Sequence, residues 1–246
     1  MAKEDAGSAQ ALRLTVNRPD NREILDQAIC SKNEVWKNAT IEWYSPIEPS
    51  YNEFQNGNFW TGILPGSSKQ SFWAELQNSE NRKGHKSFWP TRGAHWDALG
   101  ILNADGERTL IIVEAKGQCK EHKRTQSAAK AKSSVDIINK SLSYSAQFLK
   151  STRPEEWNKD SSFYQFENRL AYLIYLSEVC KIQVCLVYVY FLNDPHAKKI
   201  HAVVSSENEW KEIISEELSC VGLDNDESRK ILEGKMIDVF LEAPEY

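Results

Sequence analysis

The stretch Trp96–Gly117, WDALGILNADGERTLIIVEAKG, decides how this chain is read. It holds two strand-like runs, 97–103 and 109–115, with Asp105-Gly106 between them. Asp-Gly between such runs is the strongest short-range hairpin signal, because a two-residue type I′ turn needs positive φ at both positions. With Asp105 and Gly106 as the loop, Asp97 lies opposite Glu114, Leu99 opposite Ile112 and Ile101 opposite Leu110. The two-residue period of a strand puts Lys116 on the same face as Asp97 and Glu114.

Carboxylates placed opposite one another on a sheet have Cβ atoms about 4.5–5.5 Å apart. Two full charges at ~5 Å repel by roughly 3 kcal/mol at an effective dielectric near 20. Three outcomes relieve that repulsion: one acid protonates, Lys116 neutralises part of the charge, or a hard divalent cation bridges both. Mg²⁺ accepts paired carboxylates with a few waters, and a lysine on the same side can then orient or deprotonate an attacking water. The plainer alternative makes Asp97 a strand-entry cap and Glu114–Lys116 a solvated ion pair. A very apolar strand that ends abruptly in Glu-Ala-Lys-Gly favours a site.

Outward from the hairpin, Asn21–Cys30 has helical spacing, and Ser45–Gly66 is rich in loop formers. Ser68–Ser79 reads as a helix, Ser127–Lys150 and Ser162–Val179 as two more, and Asn208–Ser219 as a fourth. Gln183–Leu192 is β-branched and aromatic, hence a buried strand, and Met236–Leu241 a final short one. A helix feeding a strand here suggests a partly parallel addition to the hairpin. The expected class is α/β, a central mixed β-sheet flanked by helices. Nothing in the sequence divides residues 1–246, which are read as a single domain with residues 1–66 as an N-terminal elaboration and residues 1–20 loosely held.

These residues resemble a known superfamily. Trp96-Asp97, a hairpin, then Glu114-Ala115-Lys116 is similar to the D…(D/E)xK core of the PD-(D/E)xK, restriction-endonuclease-like nucleases. WDALG, IIVEAKG and YQFENRLAYL together resemble a group of bacterial proteins assigned to that superfamily. The likeness spans about residues 89–192, and Trp96 stands where the family name has Pro. It implies a restriction-endonuclease-like core in which Asp97 and Glu114 ligate Mg²⁺ (or Mn²⁺), with the Ala115 carbonyl a further ligand. Lys116 would position the water or stabilise the pentacovalent phosphate. Relatives often carry another acid on the helix before the hairpin, and Glu75 is the candidate, an exposed helix carboxylate being the alternative. Exonuclease-like members carry Gln-x-x-x-Tyr on a later helix. Here Gln165-x-x-x-Arg169 is a partial match, and Gln165, Asn168 and Arg169 share one helix face. Such a polar face is otherwise solvated.

Composition bounds the partners. The 246 residues carry a net charge of -5, yet residues 116–140 hold seven bases against two acids, +5, leaving -10 for the remainder. A basic strip that starts at the candidate metal site is where phosphates would lie. Arg92, Lys120, Lys123 and Arg124 are the candidate nucleic-acid contacts. Trp89 and Trp96 could stack on bases, though buried packing is preferred for both. His85, His95 and His122 lack ligand spacing, which disfavours zinc. The five cysteines form no CxxC pair and point to a reducing cytosol. MAKEDAGSAQ lacks the apolar core of a secretory signal, and the apolar stretches fall short of the roughly 18 residues of a membrane span. The expectation is a cytoplasmic, Mg²⁺-dependent nuclease acting on DNA. The alternative is a non-catalytic nucleic-acid-binding or interaction module that keeps the fold. The first hundred residues could face a protein partner or a second copy of the chain.

Overall fold

The computed structural model describes residues 7–47, 54–55, 87–90, 94–121 and 126–245. Helices α1 (Ser8–Asn17) and α2 (Pro19–Cys30) come first, then strand β1 (Thr40–Ser45). Two short strands follow, β2 (Phe54–Gln55) and β3 (His95–Trp96). The hairpin is β4 (Ala98–Ala104) and β5 (Glu107–Lys116). Next come α3 (Lys132–Phe148), α4 (Tyr164–Ile174) with a π turn over Tyr175–Val179, and β6 (Val184–Leu192). Helices α5 (Pro195–Lys199), α6 (Glu207–Cys220) and α7 (Asp226–Leu232) lead to β7 (Met236–Glu242).

Five strands form one mixed sheet in the order β1-β4-β5-β6-β7, and β2 pairs with β3 in a separate ribbon. The pairs β1/β4 and β4/β5 are antiparallel, while β5/β6 and β6/β7 are parallel. The hairpin has the expected register, Leu99 opposite Ile112 and Ile101 opposite Leu110. Asp105 and Gly106 both have positive φ, 48° and 85°, as a type I′ turn requires.

Helices cover both faces of the sheet. On one, Leu12 and Val16 of α1 and Leu25 and Ile29 of α2 cluster with Ile111, Val113, Val187 and Val189. On the other, Leu142 of α3, Leu170 of α4 and Trp210 of α6 cluster with Leu99, Leu110, Ile112 and Leu186. Each large side chain so buried contributes about 1.5–3 kcal/mol. Because β5 is covered on both faces, its side chains are buried from Thr109 to Lys116. The site therefore sits at the end of a central strand.

Two features depart from expectation. Residues 8–17 are not loose, because Ala11, Leu12 and Val16 put a fully buried stripe on α1. The strand β1 lies at the edge of a stretch read as loop, and it packs closely on β4. A Cβ at Gly100 would lie 3.1 Å from both Ile41 and Trp43, so the bare backbone there is what admits β1. The helix expected over 68–79, with Glu75, lies outside the described residues, as do Arg92, Lys123 and Arg124. Among the described residues no helix is long and apolar enough to cross a membrane.

Candidate active site

The site is built just ahead of β4, where β5 runs on past the first residue of its partner strand. Asp97 falls between β3 and β4, and its N–H still donates to the Val113 carbonyl at 3.1 Å. Its side chain then turns along β5, where Oδ2 accepts the Ala115 N–H at 2.7 Å. A carboxylate thus takes the place of the next main-chain partner. The N–H and C=O of an extended residue point the same way, so the Ala115 carbonyl opens toward the Asp97 side as well.

Glu114 and Lys116 continue the alternation of Leu110 and Ile112 and point under α4. Glu114 accepts from three donors. Lys116 Nζ reaches its Oε1 at 2.7 Å and Gln165 Nε2 reaches the same oxygen at 2.6 Å. Arg169 Nε holds Oε2 at 2.7 Å. Lys116 Nζ also donates to Gln165 Oε1 at 2.8 Å, which closes a ring of three side chains. The Glu114 side chain is 2% exposed, and those of Lys116 and Arg169 are 8% each.

Arg169 is fixed on every side. Its Nη2 donates to the His95 carbonyl at 2.6 Å, its Nη1 donates to Asn168 Oδ1 at 3.1 Å, and Cζ lies 4.8 Å from the centre of the Trp96 ring. The polar face of α4 is therefore not solvated: Asn168 and Arg169 are buried against the end of β5. Trp89 and Trp96 pack in the core, as preferred from their type. Lys120 is exposed on the chain leaving β5.

The two acids are driven apart electrostatically. Burial, and after it the neighbouring Glu114 charge, push the Asp97 carboxyl well above the usual carboxylate range. Burial also opposes the Glu114 charge, but the Arg169 guanidinium and the Lys116 ammonium outweigh it and hold that carboxyl below its ordinary value. One acid favours its proton and the other favours its charge, a division of environment typical of functional sites.

A third carboxylate, which sequence reasoning passes over, lies beneath. Glu217 of α6 lines a crevice with Glu114, Lys116, Gln165, Phe166 and Tyr188 that is too narrow to admit a water molecule. Burial pushes Glu217 up to about 8, against the pull of Lys116. The Tyr188 hydroxyl, in the same crevice, is buried without a hydrogen-bond partner among the described residues. A signal for Glu217 is present in the chain: Trp210, Ile214 and Glu217 follow the buried stripe of α6, so an acid stands where an apolar residue belongs.

Asp97 and the Ala115 carbonyl are hard oxygen donors of the kind that Mg²⁺ takes. Glu114 would join them by releasing one of its three donors. Among the described residues no group of three or more His, Cys, Asp or Glu side chains gathers to hold a metal. No protein-family model, curated protein or solved structure matches the chain.

Proposed function

We propose that this protein is a metal-dependent phosphodiesterase that hydrolyses nucleic acid, with DNA as the substrate. The observation that carries the reading is the meeting of Asp97, Glu114 and Lys116 at the end of β5 with Gln165 of α4. The hairpin followed by parallel strands is also consistent with the restriction-endonuclease-like core that the sequence resembles. Asp97 and the Ala115 carbonyl would hold Mg²⁺, or Mn²⁺, with Glu114. Bound there, the ion would lower the pKa of its water and offset charge developing on the phosphate. Lys116 spends two of its three ammonium donors on Glu114 and Gln165, which leaves the third for a water or a phosphate oxygen. Lys120 extends the positive charge along the exit from β5.

One observation favours a second reading. Both Glu114 oxygens are already matched by donors, which suits a non-catalytic nucleic-acid-binding module in which the charged centre is structural. Incubation of the protein with labelled linear duplex, single-stranded and circular DNA, under Mg²⁺, Mn²⁺ or EDTA, separates the two. Metal-dependent cutting that disappears in Lys116→Ala supports the nuclease. No cutting with any metal overturns it in favour of the binding module.

A further inference from the structure

We infer that Arg169 is a resident cation of the site that competes with a divalent metal ion for Glu114. The inference rests on the metal-dependent reading above and concerns how that same site is loaded.

Glu114 has two oxygens for three donors. Oε1 is shared by Lys116 and Gln165, whereas Oε2 is held at 2.7 Å by Arg169 Nε. An entering ion that takes Glu114 therefore exchanges with the guanidinium with the least disturbance to the rest. The guanidinium can let go without leaving, since His95, Asn168 and the Trp96 ring still hold it. Formal charge points the same way. Even with both acids ionised, Asp97 and Glu114 do no more than balance Lys116 and Arg169, so a bare divalent ion brings uncompensated charge into a closed space. A phosphate bound alongside would compensate it, and the site would take metal and phosphodiester together more readily than metal alone.

The test is direct metal binding by the full chain, read by titration calorimetry with Mg²⁺ and by electron spin resonance of free Mn²⁺. Arg169→Gln keeps a donor for Glu114 and removes the charge. Its affinity should exceed that of the unmodified protein at least tenfold. Equal affinities overturn the inference and leave the metal-dependent reading standing, whereas binding by neither protein overturns both. Should Arg169→Gln fail to fold, the unmodified protein still gives an answer. Its Arg169 Nε–H, protected from exchange by Glu114, should lose that protection at Mg²⁺ saturation. Protection that persists at saturation overturns the inference.

Discussion

Glu114 Oε2 stands 2.7 Å from Arg169 Nε, and both side chains are closed off from water. The chain brings them together from the end of a strand and the middle of a helix. A buried ion pair is poor evidence of added stability, because desolvation of both charges offsets their attraction. Breaking one is nevertheless costly. Cohesion alone is therefore a weak account of the four ionisable side chains, Asp97, Glu114, Lys116 and Arg169, that meet at the edge of the apolar core.

Arg169→Leu should destabilise the protein by about 3 kcal/mol, at the lower end for a broken buried pair because Lys116 remains beside Glu114. Glu114→Leu in the same chain should recover part of that loss. Urea unfolding of the two single variants and the double variant should give a coupling of at least ~1 kcal/mol. Additive costs would mean that the pair contributes nothing as a pair.

Asp97 has a structural task and a chemical one, and two substitutions separate them. Asp97→Asn keeps an acceptor for the Ala115 N–H and removes the repulsion with Glu114, so its melting temperature at pH 8 should match or exceed the unmodified protein's. Asp97→Ala leaves that N–H without its partner and should cost about 1–3 kcal/mol. Both should weaken Mg²⁺ binding, measured calorimetrically.

Lys116→Ala should lower any metal-dependent cleavage at least a thousandfold. Glu114 keeps Arg169 and Gln165 as partners, so circular dichroism should show a folded chain that melts only a few degrees lower. Loss of the fold instead would make the lysine structural.

Glu217 sets a pH dependence with a definite sign. Its carboxyl titrates near 4.5 in an unfolded chain and is pushed up to about 8 in the fold. Between those values the unfolded chain has released a proton that the folded chain retains, so stability falls as pH rises and levels off above 8. Glu167, also pushed up to about 8 by burial, adds to the same slope. A carboxyl that binds its proton tenfold more tightly in the fold than in the open chain changes stability by about 1.4 kcal/mol across that range of pH. Glu217→Gln should flatten the slope and raise the melting temperature at pH 8 by several degrees, with little gain at pH 4. An unchanged slope between pH 5 and 8 would mean that Glu217 takes no part in it.

The hairpin was legible because its determinants are local: a turn dipeptide, two alternating runs and a count of residues across them. The strand β6 was legible from its β-branched and aromatic composition, and its parallel placement from the helix before it. The strand β1 was not legible, since its partner β4 lies far along the chain and Gly100 accommodates it only by lacking a side chain. The two-residue period put Glu114 and Lys116 on one face, but the ladder ends at Ala98, and Asp97 reaches the end of β5 through the Ala115 N–H rather than as the cross-strand partner of Glu114. The union of Arg169 with Glu114 was not legible, because a polar helix face looks the same whether it meets water or a buried carboxylate. What distinguishes α4 is that every residue from Phe166 to Ile174 is buried. A helix that is buried all round must find partners for its polar residues inside the protein.

The chain leaves the centre of the sheet at Lys116 and returns beside it at Val184, having laid down α3 and α4 in between. Glu114 and Arg169 can meet only after that excursion has closed, and closure has its entropic cost before any contact rewards it. Until then the hairpin carries bare charges that water must solvate. The charged centre is thus complete only when α4 lies against the end of β5, and its presence reports that the second half of the chain has docked on the first.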